Sequence, residues 1–240
     1  MEKEIRMSKI KSRICWVIAT VLAVTALAAA VLPFFFMVIN SFKGKFEMLP
    51  KGVFALPDKL NFANYQEVLS GGFVRYFGNS VLVLCISLIL ILFIAACAAY
   101  PLARFKFKLN GFVYSTIVAC MAIPIHITLI PVFQMTKSLG MYDKISAMIG
   151  PDVAFALPIS VFILTSFMAG IPKEIEESAE IDGCNKYRMF FTIMLPLAKP
   201  GLSTLAIYNG VNIWNEFSFA YTLTQSPKNR TLPLAVSDFQ

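Results

Sequence analysis

Five long apolar runs constrain the fold of this chain more than any other feature of its sequence. They occupy roughly residues 14–40, 79–101, 112–133, 147–169 and 201–223. Each run is long enough for a helix of ~20 residues, which crosses ~30 Å of hydrocarbon at 1.5 Å per residue. Hydrophobic residues make up 58% of the sequence and charged residues 15%, against about 45–50% and about 25% in soluble proteins. The pattern predicts an all-α, polytopic membrane protein with five visible transmembrane helices.

The basic character of the chain does not indicate a nucleic-acid-binding protein. The net charge is +7, but Lys and Arg are divided among the short segments between apolar runs, whereas nucleic-acid binding needs them on one folded face. The five cysteines have no spacing typical of a metal site or a disulfide. We therefore expect all five to be small packing residues inside the core, as most buried cysteines are.

The first apolar run is compatible with a signal peptide or with a membrane helix. A basic amino-terminal stretch precedes it, and the run contains Ala26-Leu27-Ala28, both of which are typical of secretory signals. However, the run continues without a charge to Ile39, well past the 7–15 residues of a cleavable core. This length favours a retained membrane helix.

The distribution of cations predicts the orientation. Segments 1–13, 102–111 and 170–200 hold twelve Lys and Arg residues, and the alternate segments 41–78, 134–146 and 224–240 hold nine. Cytoplasmic loops carry the excess of Lys and Arg in membrane proteins. We therefore expect a cytoplasmic amino terminus. Five spans then leave the polar stretch before Gln240 outside, and we expect a sixth helix after it.

The most charged segment lies between the fourth and fifth runs. Its first part, residues 170–183, has Pro172 near its start and Gly183 at its end, with acidic residues between them at Glu174, Glu176 and Glu177. Proline in a first turn, acidic residues near the positive end of the dipole and glycine at the stop predict a short helix. A second short helix should cover about residues 186–193. Taken alone, this pattern fits a solvated loop helix as well as a docking element.

The spacing of residues in this segment resembles the EAA loop of ABC importer permeases, written E-A-A-x3-G-x9-I-x-L-P. Only one anchor differs, since Ser178 stands where the first alanine is usual. In that family the loop is a coupling helix that docks into a groove of the ATP-hydrolysing subunit. The resemblance implies this role for Glu177, Ser178, Ala179, Gly183, Ile193, Leu195 and Pro196.

Further segments look like the carbohydrate branch of these importers, which includes the maltose-type permeases. They are Asn40-Ser41-Phe42-Lys43, Asn61-Phe62-Ala63-Asn64-Tyr65, Asn79-Ser80, Ala99-Tyr100-Pro101-Leu102-Ala103-Arg104, Ile123-Pro124, Trp214-Asn215-Glu216-Phe217 and Thr231-Leu232-Pro233. This group has six spans. The resemblance implies a type I ABC importer permease fold, with residues 1–240 as a single transmembrane permease domain in a bacterial plasma membrane.

The same resemblance implies the partners and the cofactors. We expect ABC ATPase subunits, a second permease subunit, an extracytoplasmic sugar-binding protein and membrane lipid, and no nucleic acid. The chain has no G-x4-G-K-[ST] phosphate-binding loop. ATP and Mg should therefore be held by the ATPase, with no cofactor and no metal on this chain. Its predicted function is to couple ATPase motion to alternating access for an oligosaccharide or related polyol.

The last apolar run carries a polar face. At 100° per residue its polar side chains fall within an arc of roughly 120°. Polar groups within a membrane are costly unless they line a wet path or bond a neighbouring helix, so both interpretations, and a chance grouping, remain open. The candidate pathway-lining residues are Tyr208, Asn209, Asn212, Asn215 and Glu216.

Two other functional classes are weighed against this one. An ion-coupled secondary transporter would need paired carboxylates or a basic partner within the spans, and Glu216 has no such partner in the sequence pattern. A membrane-embedded enzyme would need a metal motif or a catalytic pair at membrane depth, and no catalytic residue is predicted. The lone His126 follows Pro124, and we expect its ring to bond backbone that the proline leaves unpaired.

Overall fold

The computed structural model describes residues 2–44, 47, 52 and 55–237 of the chain. Within these residues the regular secondary structure is entirely helical. The chain divides into two compact units, residues 1–72 and 73–240. Gln240, after which a sixth helix is expected, lies outside the described residues.

The first unit contains α1 (Glu2–Ser41) and α2 (Ala63–Ser70). The Asn64 side chain donates to the carbonyls of Ser41 and Lys43, both at 3.0 Å, and the Ser41 and Tyr65 hydroxyls lie 2.7 Å apart. The rings of Phe42, Phe62 and Tyr65 form one cluster, with centroids 5.4–6.2 Å apart. The two sequence segments from this unit that resemble the sugar importers therefore contact each other at the end of α1.

The second unit contains the remaining helices. They are α3 (Phe73–Arg104), α4 (Asn110–Ala119) with a 3-10 turn (Cys120–Ala122), α5 (Ile125–Ser138), α6 (Ser146–Ala169), α7 (Glu174–Ile181), α8 (Lys186–Met189) with a π-helical segment (Phe190–Met194), α9 (Leu195–Leu197), α10 (Lys199–Trp214), α11 (Ser218–Leu223) and α12 (Leu232–Val236).

Three helices among the described residues are long and apolar enough to cross a membrane by themselves: residues 13–41 of α1, α3 and α6. Two further crossings are possible by length and composition if each of two bent helix pairs forms one span. The total of up to five spans agrees with the number of apolar runs in the sequence.

The third run is not one straight helix. Helices α4 and α5 meet at 99°, with Ile123 and Pro124 both extended at ψ 113° and 133°. Proline has no N–H and disfavours the helical conformation for the residue before it, which ends the first helix at Ile123. The His126 ring makes no hydrogen bond to the described residues, so the expected bond from the ring to backbone near Pro124 is not formed.

The fifth run is also divided. Helix α10, which forms its first part, meets the preceding helical segment 186–197 at 68°. Helix α10 then ends at Trp214 rather than near residue 223. A separate short helix, α11, follows at Ser218. The polar sequence around Asn215 and Glu216 therefore lies between two helices and not in the middle of one.

Close packing in the second unit depends on small residues. Ala95, Ala96 and Ala99 on α3 are fully buried in one cluster with Leu164 and Met168 of α6, because small side chains let helix backbones approach closely. Gly201 of α10 has a similar role, since a Cβ there would lie 3.0 Å from the Phe167 ring.

The cysteines differ from the expectation that they pack inside. Cys15, Cys85, Cys97 and Cys120 are exposed on the isolated chain and Cys184 is half-buried. Helix faces that meet lipid need only be apolar, and a thiol behaves as a small hydrophobe. The apolar sequence around these cysteines thus did not distinguish the lipid-facing side from the core.

Candidate functional site

The short charged helix α7 ends in a tight hydrogen-bonded stop. The N–H of Cys184 donates to the Ala179 carbonyl at 2.9 Å, and the N–H of Gly183 donates to the Glu180 carbonyl at 3.0 Å. This pair of bonds is the Schellman motif, which needs a left-handed residue after the helix. Gly183 supplies it with φ +77°, as the sequence predicts.

A second helix starts immediately after this stop. The Asn185 side chain accepts a hydrogen bond of 2.8 Å from the Arg188 N–H and caps α8. Met189, Phe190 and Met194, in α8 and the π-helical segment, are then buried in the core of the second unit. The two short helices joined at Gly183 are therefore anchored to the core of the second unit through α8 and the π-helical segment. We call residues 174–197 the coupling segment.

The predicted coupling residues divide into two sets by exposure. Glu177, Ser178, Gly183 and Pro196 are exposed, whereas Ala179 is buried. Ile193 and Leu195 pack against the core at its edge. The EAA-like pattern thus places its glutamate and serine outward and its alanine and aliphatic residues inward, so that one face is free to meet a partner.

Two exposed apolar residues of the coupling segment were not predicted. Ile181 is 86% exposed and Tyr187 82% exposed. A contiguous apolar patch with a polar rim marks a binding site, and these two side chains are candidate contact residues for one. An isoleucine and a tyrosine in the most charged part of the chain could have indicated this from the sequence.

A cavity of about 360 Å³ lies among α5, α6, α10 and α11. Its lining includes the five polar residues predicted on the last run, together with residues of α5 and α6 that sequence reasoning did not select. The lining residues that carry polar side chains are His126, Asp152, Tyr208, Asn209, Asn212, Asn215, Glu216 and Ser218.

Four of the five predicted residues have hydrogen-bond partners of three different kinds. Asn209 is buried and donates to the Ser160 hydroxyl of α6 at 2.9 Å, whereas Asn212 and Asn215 donate to carbonyls one turn back in α10. Glu216 accepts from the N–H groups of Phe219 and Ala220 at 2.7 and 3.0 Å and caps α11. The face therefore combines a helix-to-helix bond, a helix cap and two cavity-lining amides that bond only their own helix among the described residues.

Asp152 is the main polar residue of the cavity that the sequence did not reveal as a site. It is 6% exposed, and its Oδ2 has no hydrogen-bond partner among the described residues. Asp152 follows Pro151 in the first half of an apolar helix. In the sequence this position indicates only the end of a membrane span and not a cavity. No group of three or more His, Cys, Asp or Glu side chains in the described part of the chain could hold a metal ion.

Near the start of α3, the segment 223–232 is held by two sets of hydrogen bonds. Asp143, in the loop before α6, accepts from the N–H groups of Gln225 and Ser226 at 2.9 and 2.8 Å and from the Ser226 hydroxyl. The Asn79 side chain donates to the carbonyls of Lys228 and Arg230 at 3.0 and 2.8 Å. We call this arrangement the loop clamp.

These bonds affect the ionisation of Asp143. The Ser226 hydroxyl and the backbone N–H groups of Gln225 and Ser226 favour the charged form and hold the pKa of Asp143 well below its ordinary value. A lowered pKa in the folded state adds stability above the ordinary value near pH ~4 and loses it as the pH falls below that.

We expect Asp143→Ala to lower the melting temperature of the purified protein in detergent by a few degrees at pH 7. The change leaves the two backbone N–H groups without their acceptor. Glu174→Ala, at an exposed acidic residue of the second unit, is the control. The difference in melting temperature between wild type and Asp143→Ala should become smaller below pH 4. An equal difference at both pH values would exclude a contribution from the charge of Asp143.

Comparison with known proteins now assigns the family. Residues 91–240 match the family described as "binding-protein-dependent transport system inner membrane component". A putative ABC transporter permease protein, ORF2 of Caldicellulosiruptor sp. (strain Rt8B.4), is 51% identical over 91% of this chain and 79% of its own length. The melibiose/raffinose/stachyose import permease protein MelC of Bacillus subtilis (strain 168) is 34% identical over 92% of this chain and 80% of its own length.

A solved structure has the same fold. It is a chain of a bacterial ABC transporter involved in the import of the acidic polysaccharide alginate, with a TM-score of 0.82 and 23% identity over 94% of this chain and 79% of that chain. The match confirms the predicted all-α ABC importer permease fold. The chain is therefore a multi-pass plasma membrane protein of the binding-protein-dependent transport system inner membrane component family, a transport subunit and not an enzyme.

Proposed function

We propose that this chain is the permease subunit of an ATP-driven importer for an oligosaccharide or related polyol. The observation that carries the proposal is the exposure of the coupling segment, where Glu177 and Ser178 of the EAA-like pattern and the apolar Ile181 and Tyr187 are all exposed. The sugar class is supported by the substrates for which MelC and the alginate transporter are named.

The partners follow from the family and from the chemistry that this chain lacks. The family is dependent on a binding protein, and the sequence has no phosphate-binding loop. We propose that separate ABC ATPase subunits hold ATP and Mg, that a second permease subunit completes the path, and that an extracytoplasmic sugar-binding protein delivers the substrate. This chain itself binds no cofactor.

The coupling segment is proposed to transmit the ATPase motion. Closure of the ATPases on ATP would move the groove that holds α7 and favour one of two arrangements of the helices. Such a shift can be no larger than the difference in how tightly the ATPases hold the two states. In the same scheme the cavity near Asn212 and Asp152 lies on the substrate path, because hydroxyl-rich sugars need hydrogen-bonding groups inside an otherwise apolar bilayer.

Purification of the chain from its native membrane tests this function. We expect an ABC ATPase to co-purify, and we expect the binding protein that belongs to the complex to bind an oligosaccharide in a screen of neutral and acidic sugars. Recovery of the chain without any ATPase under mild detergent conditions would contradict the proposal.

The orientation is a separate prediction. Because cations are concentrated in segments 1–13, 102–111 and 170–200, reporter fusions at Lys106 and Asn185 should give a cytoplasmic signal. Fusions at Tyr142 and Lys228 should give an external signal. A fusion at Phe62 should also give an external signal, and a cytoplasmic signal there would contradict the orientation.

A further inference from the structure

The end of α3 is attached to the coupling segment by a buried ion pair. Nε of Arg104, the last residue of α3, lies 2.5 Å from Oε1 of Glu176 in α7, and the two side chains are only 3% and 12% exposed. The two atoms are close enough for strong attraction, but they do not have hydrogen-bond geometry. The contact is therefore one of charge.

Arg104 also contacts the junction between α6 and α7. Its Nη2 donates to the Ile171 carbonyl at 2.6 Å, just beyond the end of α6 at Ala169. Through one guanidinium the last residue of α3 thus contacts both the α6–α7 junction and the first turn of α7. Arginine suits this position because its guanidinium is always charged and has five donors, so it can pair with a carboxylate while it donates to a carbonyl.

The π-helical part of the coupling segment also packs against the last turns of α3. The Tyr100 ring lies 5.3 Å from the Phe190 ring of the π-helical segment, and both residues belong to the buried cluster. The exposed Lys186–Glu180 pair is different, because its side chains are 57% and 47% exposed. Exposed pairs contribute little to stability, whereas loss of one partner from a buried pair leaves an uncompensated charge.

We propose that the Arg104–Glu176 ion pair is the positioning link through which movement of α7 is passed to α3. The proposal rests on the coupling function proposed above. Because each charge is buried against the other, separating α7 from the end of α3 would expose or isolate both charges. The two helices should therefore move as one body during the ATP cycle. The far end of α3 bears Asn79 of the loop clamp, so one helix would connect the two ends of the permease.

Spin-label distances in the assembled complex test the link. The complex with its ATPase is placed in lipid nanodiscs, in a background without the five native cysteines, with labels at Lys106→Cys and Lys173→Cys. Both positions are exposed, one just after α3 and the other just before α7. We expect the same distance distribution without nucleotide and after trapping with MgATP and vanadate.

Neutralising either partner should make this distance depend on nucleotide. In Arg104→Gln and Glu176→Gln we expect the distribution to shift or broaden only in the vanadate-trapped state, with the ATPase still bound. The double variant should show no larger effect than either single variant, because residues that act as a pair are not additive. Arg104→Lys, which keeps the charge, should restore most of the constant distance. Lys108→Gln, at an exposed cation of the loop after α3, should behave as wild type.

The outcomes separate the link from the function on which it rests. A distance that stays constant in both neutral variants, with the ATPase bound, would overturn the ion pair as a link and leave the permease function standing. A distance that changes equally with and without nucleotide would show a purely structural contact and would also overturn it. A wild-type complex that binds no ATPase would overturn both proposals.

Discussion

Gly183→Val is expected to leave the chain inserted in the membrane at normal abundance and to reduce ATP-driven sugar uptake to background. Gly183 stops α7 in the left-handed region at φ +77°, and a residue with a Cβ loses about 1–2 kcal/mol there. A Cβ at this position would meet no atom within 4 Å. The expected loss is therefore conformational and not the result of a clash.

The consequence should be confined to the coupling segment. If residue 183 leaves the left-handed region, the hydrogen bonds from Gly183 and Cys184 to the end of α7 are lost, and α8 starts in a different direction. Insertion should survive because the membrane-spanning helices are untouched. Three measurements separate insertion, ATPase docking and transport. They are abundance in the membrane, co-purification of the ATPase and uptake of the sugar identified for the wild-type transporter.

Two control variants isolate the cause. Gly140→Val imposes the same conformational strain at φ +66°, also in open space, but in the turn after α5, so it should affect stability without removing ATPase coupling. Gly183→Asn should retain most activity, since asparagine tolerates the left-handed region. Full ATPase recruitment and full uptake in Gly183→Val would contradict the coupling role of this segment.

The helical stop was predictable because its signal is local. Acidic residues, a glycine and an EAA-like spacing are all within one short segment, and the structure has the predicted turn at Gly183. The break at Pro124 was not distinguishable in the same way. Pro131 and Pro158 lie inside continuous helices, so proline alone does not show where a span will bend.

Contacts between distant segments could not be derived from one sequence. Asn79-Ser80 and Thr231-Leu232-Pro233 both resemble the sugar importers, but nothing in either segment shows that Asn79 holds the carbonyl of Arg230 or that the Leu232 N–H donates to Ser80 at 2.8 Å. The same limit applies to Arg104. Its place at the end of a span predicts a cytoplasmic cation, whereas its burial against Glu176 depends on how α3 and α7 pack.

The polar face of the last run shows a related limit. A helical projection of the sequence places all its polar side chains on one side of a single helix, and this suggests one common role for them. In the structure Asn209 bonds α6 and Glu216 caps α11, because α10 stops at Trp214. The alternatives of pathway lining and interhelical bonding thus apply to different residues of the same face, and each needs its own test.

Asn212→Leu is expected to reduce uptake about tenfold while leaving abundance and melting temperature unchanged. Asn212 lines the cavity, and its only described hydrogen bond is to the Tyr208 carbonyl of its own helix, so folding does not depend on it. A leucine would replace an oxygen that can bind a sugar hydroxyl, and loss of one such bond, about 1.4 kcal/mol at the barrier, is a factor of about ten.

Asn209→Leu is the matched comparison, since it places the same substitution one turn away. It should lower the melting temperature, because the Ser160 hydroxyl loses its donor and a buried side chain must repack. The combination Asn209→Leu with Ser160→Ala should recover part of that loss, as removal of both polar partners costs less than removal of one. If Asn212→Leu instead lowers stability and uptake together, as Asn209→Leu should, the cavity face serves packing and the proposed sugar path lies elsewhere.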